Sequence, residues 1–205
     1  MPIKSIDWLR AVKHLSKDKK LGGLIKKHGE LKWEWGSDLF SDLIESIVNQ
    51  QLSGKAAATI FGRFKKLFTT KKFPSPSDIL KISDEKIRTC GISLAKIKYI
   101  KGLCQAILAG NLNLDKLPSL SDEEVITELI KLKGIGKWTA EMILMFSLKR
   151  EDVFSLGDLG LRKAVAKSYG VKQDDFRQIE KISQKWKPYR TIASRYLWKS
   201  LEENR

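Results

Sequence analysis

Apolar positions recur with a helical period along most of the chain. Leu39, Leu43, Ile44, Ile47 and Val48 form one stripe. Ser53 reads as the cap of a second helix carrying Ala57, Ile60, Phe61, Phe64 and Phe68. The segment FPSPSD (73–78) is a break, because Pro74 and Pro76 disfavour helical backbone in the residue before each. Short helices are predicted near 78–82 and 84–89, and a longer one from Leu94 to Ala109. Ser121 and Glu124 have the spacing of a capping box, which starts a helix there. Gly134 and Gly136 end that helix and turn the chain into another, Lys137–Ser147, with Trp138, Met142 and Met145 near one face. Two more follow, Asp158–Tyr169 and Tyr189–Leu201. No alternating strand pattern, repeat or low-complexity segment interrupts this. The pattern predicts an all-α chain of about ten helices joined mostly by short connections.

A chain of 205 residues makes one compact domain or two small lobes. It buries roughly 70% of its unfolded surface and needs neither disulfides nor metal to hold a core. Charge narrows the partners. Lys and Arg number 39 against 24 acids, a net charge of +15. Nucleic acid is the first partner this implies, an anionic membrane the second. The basic residues are spread along the chain, which fits a folded basic face better than a disordered arm. Cys90 and Cys104 are too few for a cluster, and His14 and His28 stand far from them, so both thiols read as buried and no metal or cofactor is implied. The opening MPIKSIDWLRAV lacks the apolar run of a secretory signal, and no stretch is long enough to span a membrane.

Two local features carry candidate chemistry. The first is the G-I-G turn. Glycines there admit backbone angles closed to other residues, and amides at the start of the next helix form an anion site that suits a DNA phosphate. Lys137 and Thr139 would add a charge and a hydroxyl. An ordinary turn between helices carries the same glycines, so the pattern by itself leaves both readings open. The second is Asp158. Asp is a preferred N-cap. A capping carboxylate close to a phosphate site is also placed to stabilise positive charge developing on a sugar.

LKGIGKWTAEMILMF followed by VFSLGDLGLRKA resembles the helix-hairpin-helix DNA glycosylase superfamily (HhH-GPD). IVNQQLSGKAAATIFGRF (47–64) and KWKPYRTIASRYLWKSL (185–201) resemble its alkylpurine branch, the 3-methyladenine DNA glycosylase II group. The three blocks stand in the family's order and reach from about Phe40 to Leu201. The resemblance implies a single two-lobed all-α domain over 1–205, with its helix-hairpin-helix at about 122–147 and the active site in the interlobe cleft. Only about 38 residues precede the first block, so the extra N-terminal β domain of some members is expected to be absent. Asp158 is implied as the catalytic carboxylate, and Lys133 to Thr139, including Gly134, Gly136 and Lys137, as a phosphate clamp.

Members that also cut the strand carry a lysine nucleophile at the position held here by Trp138. Lys137 is next door, but one residue along a helix turns a side chain by about 100°. A monofunctional enzyme that uses water is therefore expected. The resemblance further makes Gln51 the side chain that fills the gap left by the extruded base, with Leu52 beside it. The plainer alternative is that Gln50 and Gln51 bond loop backbone and Leu52 belongs to the core, and for Leu52 the core is the stronger reading. Trp138 and Trp198, with Trp35 from the N-terminal part, are implied to line a pocket for cationic alkylated bases. Met142 stands where some relatives have an aromatic. Core packing is the alternative for every tryptophan, above all for Trp186 and Trp8.

The expected activity is release of alkylated purines from duplex DNA by a monomer acting without cofactor, in base excision repair. It would take place in the cytoplasm of a prokaryote or the nucleus of a eukaryote. A glycosylase-lyase that uses another lysine, and a hairpin module that only grips DNA, are the rival readings.

Overall fold

The structure, a computed structural model, describes residues 8–31, 38–68 and 73–202. Among them there is no strand. The twelve α-helices are α1 Trp8–Leu15, α2 Lys19–His28, α3 Leu39–Asn49, α4 Gly54–Lys65, α5 Pro76–Lys81, α6 Asp84–Arg88, α7 Leu94–Leu108, α8 Asp122–Ile130, α9 Lys137–Met142, α10 Leu159–Tyr169, α11 Phe176–Gln184 and α12 Arg190–Glu202. A 3₁₀ turn, Leu117–Ser119, precedes α8, and a π-helical turn, Ile143–Ser147, follows α9. The all-α expectation holds. No helix among the described residues is long and apolar enough to cross a membrane.

The chain divides into two compact units, one made of Gly36–Ile143 and the other of Met1–Trp35 with Leu144–Arg205. In the continuous unit, α3 packs on α4 and α7, and α7 also receives α5 and α6. Leu43, Ile44, Ile47 and Val48 are buried along α3, as their spacing predicts. They meet a core that includes Phe64, Ile79, Ile87, Ile97 and Ile100, all shielded from solvent. Ser53 stands at the N-cap of α4 as expected, although its hydroxyl makes no capping bond. FPSPSD is a break only up to Ser75. Ser75 and Asp78 form a capping box and Pro76 opens α5, a position where a missing N–H costs nothing.

In the discontinuous unit, α12 lies against α2 and α10, α1 against α2, and α11 against α10. Leu15, Leu21, Leu161, Val165, Ile179, Trp186, Ile192, Tyr196 and Leu197 form its buried cluster. Trp186 is fully buried, and Trp8 packs against the cluster with its ring centroid 5.7 Å from that of Tyr196. Both tryptophans are core residues, as their reading allowed. Polar bonds close the unit across long sequence separations: the Tyr196 hydroxyl donates to the Gly29 carbonyl at 2.8 Å, and the Tyr169 hydroxyl donates to Asp18 at 2.9 Å.

Three helices were not legible in the pattern: α1, α2 and α11. The helix predicted over 137–147 is α-helical only as far as Met142. Cys90 and Cys104 are both buried and unpaired with one another, and burial pushes the Cys104 thiol up to about 12.

Candidate active site and DNA-gripping hairpin

The hairpin begins at a cap. Ser121 receives the Glu124 N–H at 3.2 Å and Glu124 receives the Ser121 N–H at 2.8 Å, which starts α8 at the predicted residue. The turn tightens through Leu132 N–H to the Leu129 carbonyl and Ile135 N–H to the Leu132 carbonyl, both at 3.1 Å. Its two glycines have different reasons to be glycine. Gly134 has φ +90, and a Cβ there would overlap the ring of Tyr99. Gly136 has φ −95, ordinary extended backbone, and an added Cβ would meet nothing within 4 Å. Of the two glycines, only Gly134 uses the backbone freedom that both offer. Gly136 is the N-cap of α9 and brings no side chain to it, so the face of the first turn stays open to a ligand.

The clamp residues separate on burial. Lys137 is exposed, whereas Thr139 is only 5% exposed. The Thr139 side chain packs inside the unit, and its hydroxyl is withdrawn from the surface where a phosphate would lie. Trp138 is 48% exposed, too open for the core role that was its alternative. Met142, one turn further, is half-buried. Trp35 lies outside the described residues.

The loop between α3 and α4 belongs to the same unit. Gln51 is exposed and carries φ +57, the left-handed region that a residue with a Cβ rarely occupies. Leu52 is 38% exposed, so the core reading for it is overturned. Both side chains face solvent at the turn between the two helices. The amide that bonds backbone is Gln50, and its partner is not its own loop: Nε2 donates to the Gly134 carbonyl at 2.6 Å.

Asp158 lies in the discontinuous unit. It is the N-cap of α10, where its Oδ1 accepts the Leu161 N–H at 2.6 Å. The same oxygen accepts the indole N–H of Trp198, from α12, at 2.9 Å. Trp198 is half-buried, with its ring centroid 6.1 Å from that of Phe146. Gly160 makes room for this arrangement: a Cβ there would sit 3.0 Å from Asp158 Oδ1 and 3.3 Å from the Trp198 ring. Trp198 thus holds the carboxylate in place through its indole N–H.

The segment leading to Asp158 is fastened as well. Arg190 donates to Asp152 Oδ1 at 2.8 Å and Oδ2 at 3.0 Å, a two-pronged ion pair, and also to the Asp152 carbonyl at 2.7 Å. Thr191, fully buried, donates to the Arg150 carbonyl at 2.6 Å and accepts the Val153 N–H at 3.0 Å. Asp158 N–H bonds the Ser155 carbonyl at 3.0 Å. Arg190, Thr191 and Asp152 were not among the residues singled out from sequence. Their pairing spans 38 residues, and no local pattern encodes it.

A cap, an open turn between two helices and a doubly bonded carboxylate at the head of another helix define the class. The family model for the HhH-GPD superfamily base excision DNA repair protein matches residues 44–188, and the chain belongs to that superfamily. It is 37% identical over 163 residues to DNA-3-methyladenine glycosylase 1 of Schizosaccharomyces pombe, spanning 78% of this chain and 72% of that protein. It is 31% identical over 195 residues to the putative DNA-3-methyladenine glycosylase YfjP of Bacillus subtilis, spanning 92% of this chain and 68% of the relative. Among solved structures, DNA-3-methyladenine glycosidase from Bacillus halodurans superposes with a TM-score of 0.83 at 37% identity, covering 98% of this chain and 92% of that one. The S. pombe 3-methyladenine DNA glycosylase in complex with abasic DNA gives 0.85 at 35% identity, covering 94% and 97%.

Proposed function

We propose that this chain is a monofunctional DNA glycosylase that extrudes alkylated purines from duplex DNA and hydrolyses their N-glycosidic bond, leaving an abasic site for base excision repair. The observation that carries the mechanism is the fastened carboxylate of Asp158. The glycosidic carbon is shielded in a stacked duplex, so the nucleotide must first leave the helix. An N3- or N7-alkylated purine is cationic and departs as a neutral base, taking the electron pair of the C1′–N bond. The sugar left behind carries oxocarbenium character, and the carboxylate of Asp158 stabilises it. Water then adds to C1′ and loses a proton. Little general-acid help is required, which suits a site with one aspartate.

The other residues take supporting parts in this reading. The backbone of Gly134 to Thr139, with the Lys137 charge, grips a phosphate. Gln51, with Leu52 beside it, occupies the gap in the duplex. The exposed face of Trp138 stacks on the cationic base, a contact worth roughly 0.5–2 kcal/mol, with Met142 one turn along. Trp138 at the lysine position of strand-cutting members supports hydrolysis by water over a Schiff base. The enzyme acts where DNA is kept, the cytoplasm of a prokaryote or the nucleus of a eukaryote.

Asp158→Asn is the deciding variant. Asparagine keeps the shape and an oxygen for the Leu161 N–H, so the helix stays capped. Release of free base from randomly methylated DNA is expected to fall on the order of 10²-fold or more, with binding to damaged duplex preserved and melting little changed. Near-normal base release by the folded variant would remove Asp158 from the mechanism. A covalent complex trapped by borohydride in the wild type would replace the hydrolytic reading with a lyase.

A further inference from the structure

We infer that Gln50 is a positioning residue that ties the loop entering the duplex to the hairpin gripping its backbone, so that phosphate binding and base extrusion act as one event. The inference rests on the glycosylase reading above and adds a residue to it. Gln50 is the C-cap of α3, and its Nε2 donates to the Gly134 carbonyl at 2.6 Å, 84 residues along the chain. The receiving carbonyl has a set direction, because Gly134 is held at φ +90 over the ring of Tyr99. On the other side, Lys96 of α7 donates its ammonium to the Gln50 carbonyl at 2.6 Å and to the Val48 carbonyl at 2.8 Å. A cation from a neighbouring helix thus satisfies the last carbonyls of α3, at the end where the helix dipole favours it. Burial lowers the Lys96 pKa, in keeping with an ammonium drawn partly into the protein.

The residue after these anchors is Gln51, exposed and at φ +57, followed by the exposed Leu52. A left-handed non-glycine residue persists only where its surroundings over-determine it. Gln50 and Lys96 supply that constraint. Packing alone would not need an amide here, since an apolar side chain fills space as well. An amide is needed to fix one loop at a set distance from a particular carbonyl of another. Extrusion costs unstacking and unpairing, and that cost must be met by contacts formed as the base leaves. If the loop moved independently of the hairpin, seating a phosphate would not aim the loop. Bonded through Gln50, the two arrive together.

The test compares the same alkylated base in two settings: fully paired in a duplex, and in an extrahelical bulge where little extrusion remains to be done. Gln50→Met keeps approximate shape and removes the donor. Single-turnover base release from paired duplex is expected to fall about tenfold, the scale of one hydrogen bond, while release from the bulge stays within about threefold. Gln51→Ala is expected to show the same selectivity, and the Gln50→Met/Gln51→Ala double variant to be no worse than the more damaged single. Lys96→Met loosens the loop without touching the hairpin and should behave alike, with Lys96→Arg restoring paired-duplex activity. Equal losses on both substrates, or no loss on either in folded protein, would overturn the inference. Failure of the underlying reading looks different: wild type would release no base from either substrate, or Asp158→Asn would release it normally.

Discussion

Asp158 combines two tasks that one side chain can perform together. Its Oδ1 caps α10 and also receives the Trp198 indole N–H. The cap was legible because it is local: an aspartate ahead of an apolar-periodic run signals a helix start. The tryptophan bond was not, since it joins residues 40 apart. Trp198→Phe isolates it by keeping a ring beside Phe146 while deleting the donor. Base release is expected to fall about tenfold, in line with loss of a hydrogen bond to a charged group, with only a modest drop in melting temperature. Unchanged turnover in that variant would show that the bond from Trp198 has no part in catalysis. Elsewhere, exposure decided what residue type left open. Leu52 faces solvent and Thr139 does not, the reverse of what an apolar and a hydroxyl side chain suggest. Each is determined by which side of its turn meets a packed layer.

At the scale of elements, the hairpin glycines yield a paired prediction. Gly134→Ala meets both a positive φ and the Tyr99 ring, so it should cost on the order of 2 kcal/mol and lower the melting temperature by about 5 °C. Gly136→Val meets neither obstacle. It should melt close to wild type, yet bind damaged and undamaged duplex equally more weakly, because on the proposed reading the added bulk stands in the path of the phosphate. Wild-type affinity in a folded Gly136→Val protein would argue that the hairpin does not grip DNA. The capping boxes add a pH dependence. The Asp78 carboxyl is held below its ordinary 3.8, chiefly by the Ser75 hydroxyl, and that of Glu124 below its ordinary 4.5, chiefly by the Ser121 N–H. A carboxylate with a depressed folded pKa contributes stability above its unfolded value and loses it as pH falls through the folded one. Thermal melts should therefore decline below about pH 4.5, and less steeply for Ser75→Ala, which removes the hydroxyl, and Glu124→Gln, which removes the titrating carboxyl. Capping boxes are legible when their spacing is noticed, as at Ser121. Helix α2 is the opposite case. Gly22 and Gly23 weaken its pattern, but Gly22 is there because a Cβ would lie 3.0 Å from the Ser16 carbonyl oxygen. That close approach exists only in the folded unit. Helices α1 and α11 do carry apolar residues at helical spacing, Trp8, Ala11, Val12 and Leu15 in one and Phe176, Ile179 and Ile182 in the other. They are short and lie among many charged residues, which blurs the period.

For the whole molecule, net charge is the quantity that counts. A charge of +15 predicts that duplex affinity falls steeply with salt, with a log–log slope of about −0.9 for each phosphate neutralised. Titration of binding between low and physiological salt measures the slope, and replacing Lys137 with Gln should reduce it by about one contact. Binding indifferent to salt would remove the basic surface from recognition. The amino-acid sequence by itself determined the all-α class, most helix starts, the turn at Gly134, the cap at Asp158 and the charge that selects nucleic acid. Those features depend on neighbours a few residues away, or on composition, and a linear pattern records both. The tertiary structure alone decided that 8–31 joins the C-terminal helices in one unit, and that Asp152, Arg190 and Thr191 hold the segment before Asp158. It also decided that Trp198 bonds the carboxylate and that Gln50 reaches Gly134. Each of these is a bond between segments far apart in the chain, and such a pairing is specified by the three-dimensional packing of helices whose sequences carry no mark of their partners.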